Sequence, residues 1–369
     1  MIKNHYAKLR FACFVSSHGF GHATRVVAVI HKLAKHFNHL EILLVGQTPQ
    51  WFWESNRLPN CKFSYLGCFT DVGLIQEGPF EHDLKKTYQA LIQFLDFSDL
   101  TINPIIESVY SFKPNFILCD ISPLGIKIGT RLKIPTILIE NFTWDWIYEL
   151  YAPAKREFKG IILSLKELYD QVSYRIQCRP FCSPVNESIK TMPIFREPIL
   201  NKKTVLSQLN LPNSAKYILV TTGGISMERK VDKLASDFFL VVPGEYQEIQ
   251  MANKVIYLPM KSAIPFPDLV NSSVCVVGKA GYGTVAECWG MNVPFIGVFR
   301  DSFRESSVLL EFCSAHLNFQ KINLCSFLNN TWISKVPTLL KCKKRSPKRI
   351  NGSSQVASAI LTFTNQFRK

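Results

Sequence analysis

The stretch "RFACFVSSHGFGHATRVVAVIHKLAKHF", residues 10–37, decides the fold. "RFACFV" is a short apolar run of strand-forming residues, and nothing in it alternates with polar side chains. That is the signature of a strand buried on both faces. After a glycine-containing turn, Val26, Ile30, Leu33 and Phe37 recur at helical spacing, which predicts a helix running to the end of the stretch. Strand, small-residue turn and helix in this order begin a parallel α/β unit.

The same order recurs along the chain. "LEILLVG" (40–46), "NFILCD" (115–120) and "PTILIEN" (135–141) read as further buried strands, with a helical stretch from Pro123 to Leu132. After residues 197–216, which carry Pro198, Pro212 and many polar residues, the pattern restarts. "YILVTTGG", "FFLVVPG", "KVIYLP", "SVCVVGKAGYGTVAE" and "VPFIGVF" follow. "RLKIPTILIENF" (131–142) and "GMNVPFIGVFRDSF" (290–303) each end a helix, turn at proline and enter a strand. The sequence therefore predicts two similarly built α/β domains, 1–200 and 201–369, each with a parallel sheet. A basic segment and a last helix near Ser354–Phe367 are assigned to the second. Ligands of open parallel sheets bind beyond the carboxyl ends of the strands. The turns at 16–24, 222–226 and 278–284 all follow strands and are expected to meet a cleft between the two domains.

Composition narrows the function classes. With 47% hydrophobic and 19% charged residues, the chain buries real cores and is not disordered. The apolar run after the basic N-terminal residues is too short for a signal-peptide core, and no run approaches the roughly 20 residues of a membrane span. A cytoplasmic protein is expected. The eleven cysteines are scattered through apolar strands without metal-ligand spacing, so reduced, buried thiols are expected and no metal site. The formal net charge of +15 favours anionic partners such as a phosphorylated small molecule or a membrane surface, with "KCKKRSPKR" (341–349) as the densest basic segment. No nucleic-acid-binding motif accompanies the charge.

Five stretches carry candidate chemistry. In "GKAGYGTVAE" (278–287), Gly281 and Gly283 let backbone approach a ligand. The helix start at Gly283 and Thr284 offers N–H groups to a phosphate, and Glu287 can accept hydrogen bonds from ribose hydroxyls. "TTGGIS" (221–226) places Gly223 and Gly224 after the first strand of the second half. "FRDSFRESS" (299–307) brings Asp301 and Glu305 as ligands for sugar hydroxyls. The opening loop, "GFGHAT" (19–24), is one residue from the dinucleotide pattern G-x-G-x-x-G. Thr24 holds the third glycine position, and the next strand lacks an acid at its tip, so a nicotinamide site is not expected. Gly19 and Gly21 bring backbone close to a ligand. His22 or His18 then suits a general base for a hydroxyl, or both only pack the turn. In "NFTWDWIY" (141–148), Asn141, Trp144 and Asp145 line an acceptor site or serve as packing.

With these residues in place the chain resembles glycosyltransferases of GT-B architecture, in which two Rossmann-like domains face each other across a cleft. "GYGTVAE" (281–287) and "SHGFGH" (17–22) resemble the MurG-type enzymes of family 28. "HGFGHATRVV" (18–27), "NFTWDWIY" and "GKAGYGTVAE" are closer still to the glycosyltransferase-like segment of L-arabinokinases and related stand-alone bacterial proteins. The resemblance implies a UDP-sugar as substrate, with Gly281, Gly283 and Thr284 on the diphosphate, Glu287 on the ribose and His22 at the reacting centre. Asp301 and Glu305 depart from the glutamine and asparagine of the MurG-type pattern and leave the donor sugar open. No kinase phosphate loop occurs, so sugar kinase activity is not expected.

The function expected is metal-free transfer of a sugar from a UDP-sugar to the hydroxyl of a lipid-linked or carbohydrate acceptor, without a cofactor. His22, His18 or Asp120 is the base. No D-x-D motif is present, and Lys279 and backbone amides stand in for a cation. A peripheral contact with the inner face of a membrane through the basic surface belongs to this reading. A sugar-nucleotide 2-epimerase and a non-catalytic sugar-nucleotide-binding module are the alternatives.

Overall fold

The computed structural model describes residues 6–76, 81–153, 155–222, 237–341 and 349–366. Gly223, Gly224 and most of the basic segment (342–348) lie outside the described residues.

The chain forms two compact units. The first runs to Ile194 and takes in the last helix, Gly352–Gln366; the second takes in Phe195–Ile350. In the first unit β1 (Tyr6–Val15), β2 (Phe37–Val45), β3 (Cys61–Leu66), β4 (Phe116–Asp120), β5 (Thr136–Glu140), β6 (Tyr174–Cys178) and β7 (Ile189–Thr191) make a parallel sheet in the order 3-2-1-4-5-6-7. In the second, β8 (Tyr217–Thr221), β9 (Phe239–Tyr246), β10 (Gln250–Ala252), β11 (Val255–Pro259), β12 (Cys275–Lys279), β13 (Phe295–Val298) and β14 (Phe319–Ile322) are ordered 10-11-9-8-12-13-14, and only β10 is antiparallel. Strands β4, β5, β8 and β12 are buried at every position, as their unbroken apolar runs require.

In each sheet the strand order reverses once, between β1 and β4 and between β8 and β12. Chain leaving the two central strands there turns to opposite faces, which opens a crevice at the carboxyl edge. The loop carrying His18 and His22 leaves β1 at the first reversal. The loop carrying Gly281 and Thr284 leaves β12 at the second. These two of the stretches singled out from sequence thus stand at the strand-order reversals.

The first helix, Phe20–Leu33, ends earlier than its periodicity predicts. Phe37 is apolar because it opens β2, and it packs in the same core as Leu33. The last helix corrects the domain assignment. Its Val356, Ala357, Ile360 and Phe363 are buried in the first unit's core, and Phe363 stacks on Tyr174. Gly352 N–H donates to Pro193 O at 3.0 Å, and a Cβ on Gly352 would lie 1.9 Å from Met192 O. The amphipathic helix is attached to the edge at β7, where its apolar side finds cover. All the described cysteines are free thiols and most are buried. No described helix is long and apolar enough to cross a membrane.

Gly278 fixes the approach of β12 to β8, because a Cβ there would stand 1.8 Å from Thr221 O. The obstruction is backbone of the neighbouring strand and cannot rotate away. Gly278→Ala is therefore expected to destabilise the protein by about 2 kcal/mol or more, measured as a lower midpoint of urea unfolding.

Candidate functional site

His22 sits in the first turn of the helix Phe20–Leu33, whose cap Gly19 has φ 89°, a left-handed conformation suited to glycine. Asp120 ends β4 directly beside Val15 of β1 and is fully buried. Asp120 Oδ1 lies 2.6 Å from His22 Nδ1 and accepts from Arg25 Nη2 at 2.6 Å; Oδ2 accepts from Arg25 Nε at 2.7 Å. Arg25, together with the hydrogen bond to His22, holds the Asp120 carboxyl below its ordinary range, although burial alone would raise it. Arg25 Nη1 donates to Asn141 Oδ1. Asn141 Nδ2 in turn donates to Cys178 O at 2.6 Å and Pro180 O at 3.2 Å.

This arrangement assigns the imidazole tautomer. An ionised carboxylate only accepts, so the short Nδ1 contact requires the proton on Nδ1. In the neutral ring the lone pair then resides on Nε2. The contact of 3.2 Å between Nδ1 and Arg25 Nη2 carries no hydrogen bond in this state, because both nitrogens bear hydrogen.

His18 is placed differently. Gln76 Nε2 lies 2.9 Å from His18 Nε2, and an amide nitrogen can only donate, so that lone pair is already used. His18 also meets the edge of Trp144 at 5.4 Å between ring centres. Gly73 has φ +66°, and a Cβ on it would lie 2.6 Å from His18 Nδ1. Trp144 is buried and donates through Nε1 to Asp71 Oδ2 at 2.8 Å. Trp144 and Asn141 therefore pack and brace the site from behind and do not present an acceptor surface. An indole N–H needs a partner when buried, and Asp71 supplies it. Asp145 is half-buried, with Oδ1 lacking a hydrogen bond among the described residues. Asp120, offered by sequence as one of three bases, is sealed behind His22 and committed to Arg25.

Arg25 was not read from sequence, yet it lies one helical turn after His22 in an otherwise apolar helix face. The spacing i, i+3 was the available signal.

In the second unit, β12 ends at Lys279 and the helix Tyr282–Met291 begins after its cap Gly281. No side chain caps this helix among the described residues, and no atom lies within 4 Å of a Cβ built on Gly281. Gly283 and Thr284 are in the first turn. Glu287 is buried; its Oε1 accepts from Arg196 Nε and Nη2, both at 3.2 Å, and Oε2 has no hydrogen bond among the described residues. Lys279 is more than nine-tenths buried, and its side chain makes no hydrogen bond or ion pair among the described residues. Burial, reinforced by Arg300 and opposed by Glu305, pushes its ammonium down to about 7. Arg300 Nη2 donates to Glu305 Oε1 at 2.9 Å, while Oε2 of Glu305 is buried without a hydrogen bond among the described residues. Asp301 is exposed in the turn after β13. The described residues bring together no group of three or more His, Cys, Asp or Glu side chains able to hold a metal ion.

Next to Asp120 along the carboxyl edge, Glu140 ends β5 and is also buried. Gln177 Nε2 donates to its Oε1 at 2.9 Å, and Arg175 Nε lies 3.2 Å from the same oxygen in an ion pair without hydrogen-bond geometry. Burial outweighs these partners and pushes the carboxyl up to about 7. A carboxyl raised on folding contributes stability that is complete below its unfolded value, about 4.3, and is lost as pH rises through its folded value. Thermal unfolding between pH 4 and 8 is thus expected to show a decline in the wild type that is absent in Glu140→Gln.

No protein-family model matches the chain. Its sequence is 26% identical over 367 residues to the L-arabinokinase of Arabidopsis thaliana, covering 96% of this chain and 34% of that protein. The chain thus spans about a third of the length of this relative. A UDP-glucosyltransferase from Polygonum tinctorium, solved with 3,4-dichloroaniline, superposes with a TM-score of 0.60 at 12% identity, covering 98% of this chain and 99% of that one. Arabidopsis thaliana UGT89C1 in complex with UDP-L-rhamnose gives 0.60 at 12% identity, with 97% and 100% covered. The fold is that of the GT-B glycosyltransferases: two α/β units, each built on a seven-stranded sheet.

Proposed function

We propose that the protein transfers a sugar from a UDP-sugar to an acceptor hydroxyl, with His22 as the general base. The observation that carries this reading is the His22–Asp120 contact at the first strand-order reversal, which in the neutral ring fixes the proton on Nδ1 and puts the lone pair on Nε2. Nε2 takes the proton of the acceptor hydroxyl as its oxygen attacks the anomeric carbon. The bond from that carbon to the diphosphate breaks, and the imidazolium formed is stabilised by the Asp120 carboxylate.

The second unit holds the nucleotide in this reading. The uncapped N–H groups after Gly281 and the side chain of Lys279 meet the diphosphate and the charge that grows on it as it departs. This is the sense in which the transfer is proposed to be metal-free. Glu287 accepts the ribose hydroxyls through Oε2, and Glu305 Oε2 is a further acceptor for a hydroxyl of the donor sugar. On the acceptor side, a cavity of about 190 Å³ beyond β1, β2 and β3 is lined by Gly46, Gln47, Thr48, Trp53 and Tyr65, among others. None of its lining residues carries a formal charge, which favours an uncharged, hydroxyl-bearing acceptor such as a carbohydrate.

Titration calorimetry with UDP tests the donor site. Glu287→Ala is expected to weaken binding about tenfold or more, in line with losing hydrogen bonds to a charged group, and equal affinity would remove Glu287 from the site. Gly281→Ala is expected to leave stability unchanged and weaken UDP. In a transfer assay His22→Ala is expected to lower kcat by about 10²–10⁴ with UDP affinity unchanged. UDP-sugar binding without transfer by the wild type would identify a binding module.

Lys279 adds a pH signature. A ligand anion restores the proton that burial and Arg300 displace. At pH 8 UDP is fully ionised, its terminal phosphate titrating near 6. Binding should then take up about one proton, read from calorimetry in two buffers of different ionisation enthalpy. Affinity should fall from pH 7 to pH 9. Lys279→Met is expected to lose both effects.

A further inference from the structure

Arg25 is the charged group at the first site whose role the transfer reading leaves unassigned. It is buried at the foot of the helix Phe20–Leu33, and the pairing with Asp120 raises its guanidinium above the ordinary arginine range despite burial. It occupies both Asp120 oxygens, at 2.7 Å and 2.6 Å, and its Nη2 lies 3.2 Å from the His22 ring nitrogen. Asn141 fixes its remaining arm.

A carboxylate beside a histidine ordinarily favours the charged imidazolium. Here the same carboxylate is already balanced by a guanidinium equally close to it. The other charged group facing His22 is Asp71, from the loop after β3, whose carboxyl burial raises and whose Oδ2 accepts from Trp144. Glu140 acts on the far side of Arg25. The charge balance at the ring is therefore set chiefly by Asp120 and Arg25.

We propose that Arg25 is a positioning residue for the transfer reaction: it holds Asp120 as a carboxylate turned onto His22 Nδ1 and cancels the field that would otherwise keep the ring protonated. The inference rests on His22 being the base. Arg25 acts through Asp120 and touches no reacting atom. Its guanidinium keeps the acceptor lone pair available on Nε2 and still leaves Asp120 to orient the ring.

The test is the titration of the His22 imidazole in the full chain, followed by long-range ¹H–¹⁵N NMR and assigned with His22→Gln. Arg25→Gln is expected to move the His22 titration to higher pH, while Arg25→Lys, which keeps the charge, leaves it near the wild type. The acid limb of kcat/KM should move with it, with KM for the donor unchanged. A titration unmoved by Arg25→Gln, or moved equally by Arg25→Lys, would overturn the proposal. Should Arg25→Gln not fold, the comparison is Asp120→Asn against Arg25→Gln/Asp120→Asn, a pair that buries no lone carboxylate. The double variant should titrate at higher pH than Asp120→Asn alone, and coincidence of the two overturns the proposal. The titration needs no substrate, so its failure is separate from failure of UDP to bind.

Discussion

A carboxylate fully buried at the end of a central strand is tolerable only if its charge is compensated and its lone pairs are filled. Asp120 meets both conditions through Arg25 and His22, and much of the first unit's carboxyl edge is arranged around that requirement. Arg25 must come from the helix that follows β1, so that helix has to start close to the strand tip. The tight, uncapped turn at Gly19 permits this. Asn141 at the end of β5 completes the guanidinium's partners and is tied in turn to the carbonyls after β6. One ion pair thus joins β4, the first helix, β5 and the segment after β6.

The topology was legible because parallel strands buried on both faces leave unbroken apolar runs, and glycine turns punctuate them. The helix Pro123–Leu132 agrees with its predicted bounds, since Ser122 caps it and proline opens it. The first helix was overextended because Phe37 falls on the helical stripe by chance of spacing while belonging to β2. The last helix was assigned to the wrong unit for a different reason. An amphipathic helix declares that it needs a partner, but its sequence does not say which one. That depends on backbone contacts at Pro193 and Met192 that periodicity cannot carry.

The site was legible where a residue type is costly without a purpose. His22 stands in the first turn of one apolar helix and Glu287 in the second turn of another, where a polar group needs a partner. Trp144 misled, because exposed and buried tryptophans look the same in a sequence, and its partner Asp71 is distant along the chain. Arg25 was missed because an arginine within a helix reads as a solvated face, and nothing local marks it as buried. What distinguishes it is a pairing of residues 25 and 120, a contact made by the strand order and invisible in either neighbourhood.

The same device recurs in the second unit. Glu287 is gripped by Arg196 and Glu305 by Arg300, each buried acid offering one oxygen to a guanidinium. A carboxylic acid buried alone would take up a proton and could then donate. Beside an arginine it tends to stay ionised and accepts only. In the transfer reading the second oxygen of each acid is left for a ligand hydroxyl, and burial raises the Glu287 carboxyl despite Arg196. Lys279 is the opposite case. Its ammonium is buried and pushed down to about 7, with no ion pair among the described residues, and it ends the strand that precedes the helix start at Gly281. In the transfer reading an anion supplied from outside completes it, whereas each arginine-paired acid has one oxygen engaged and the other open to a hydroxyl. Under the proposed transfer, that difference separates the part of the second site assigned to charge from the part assigned to hydroxyls.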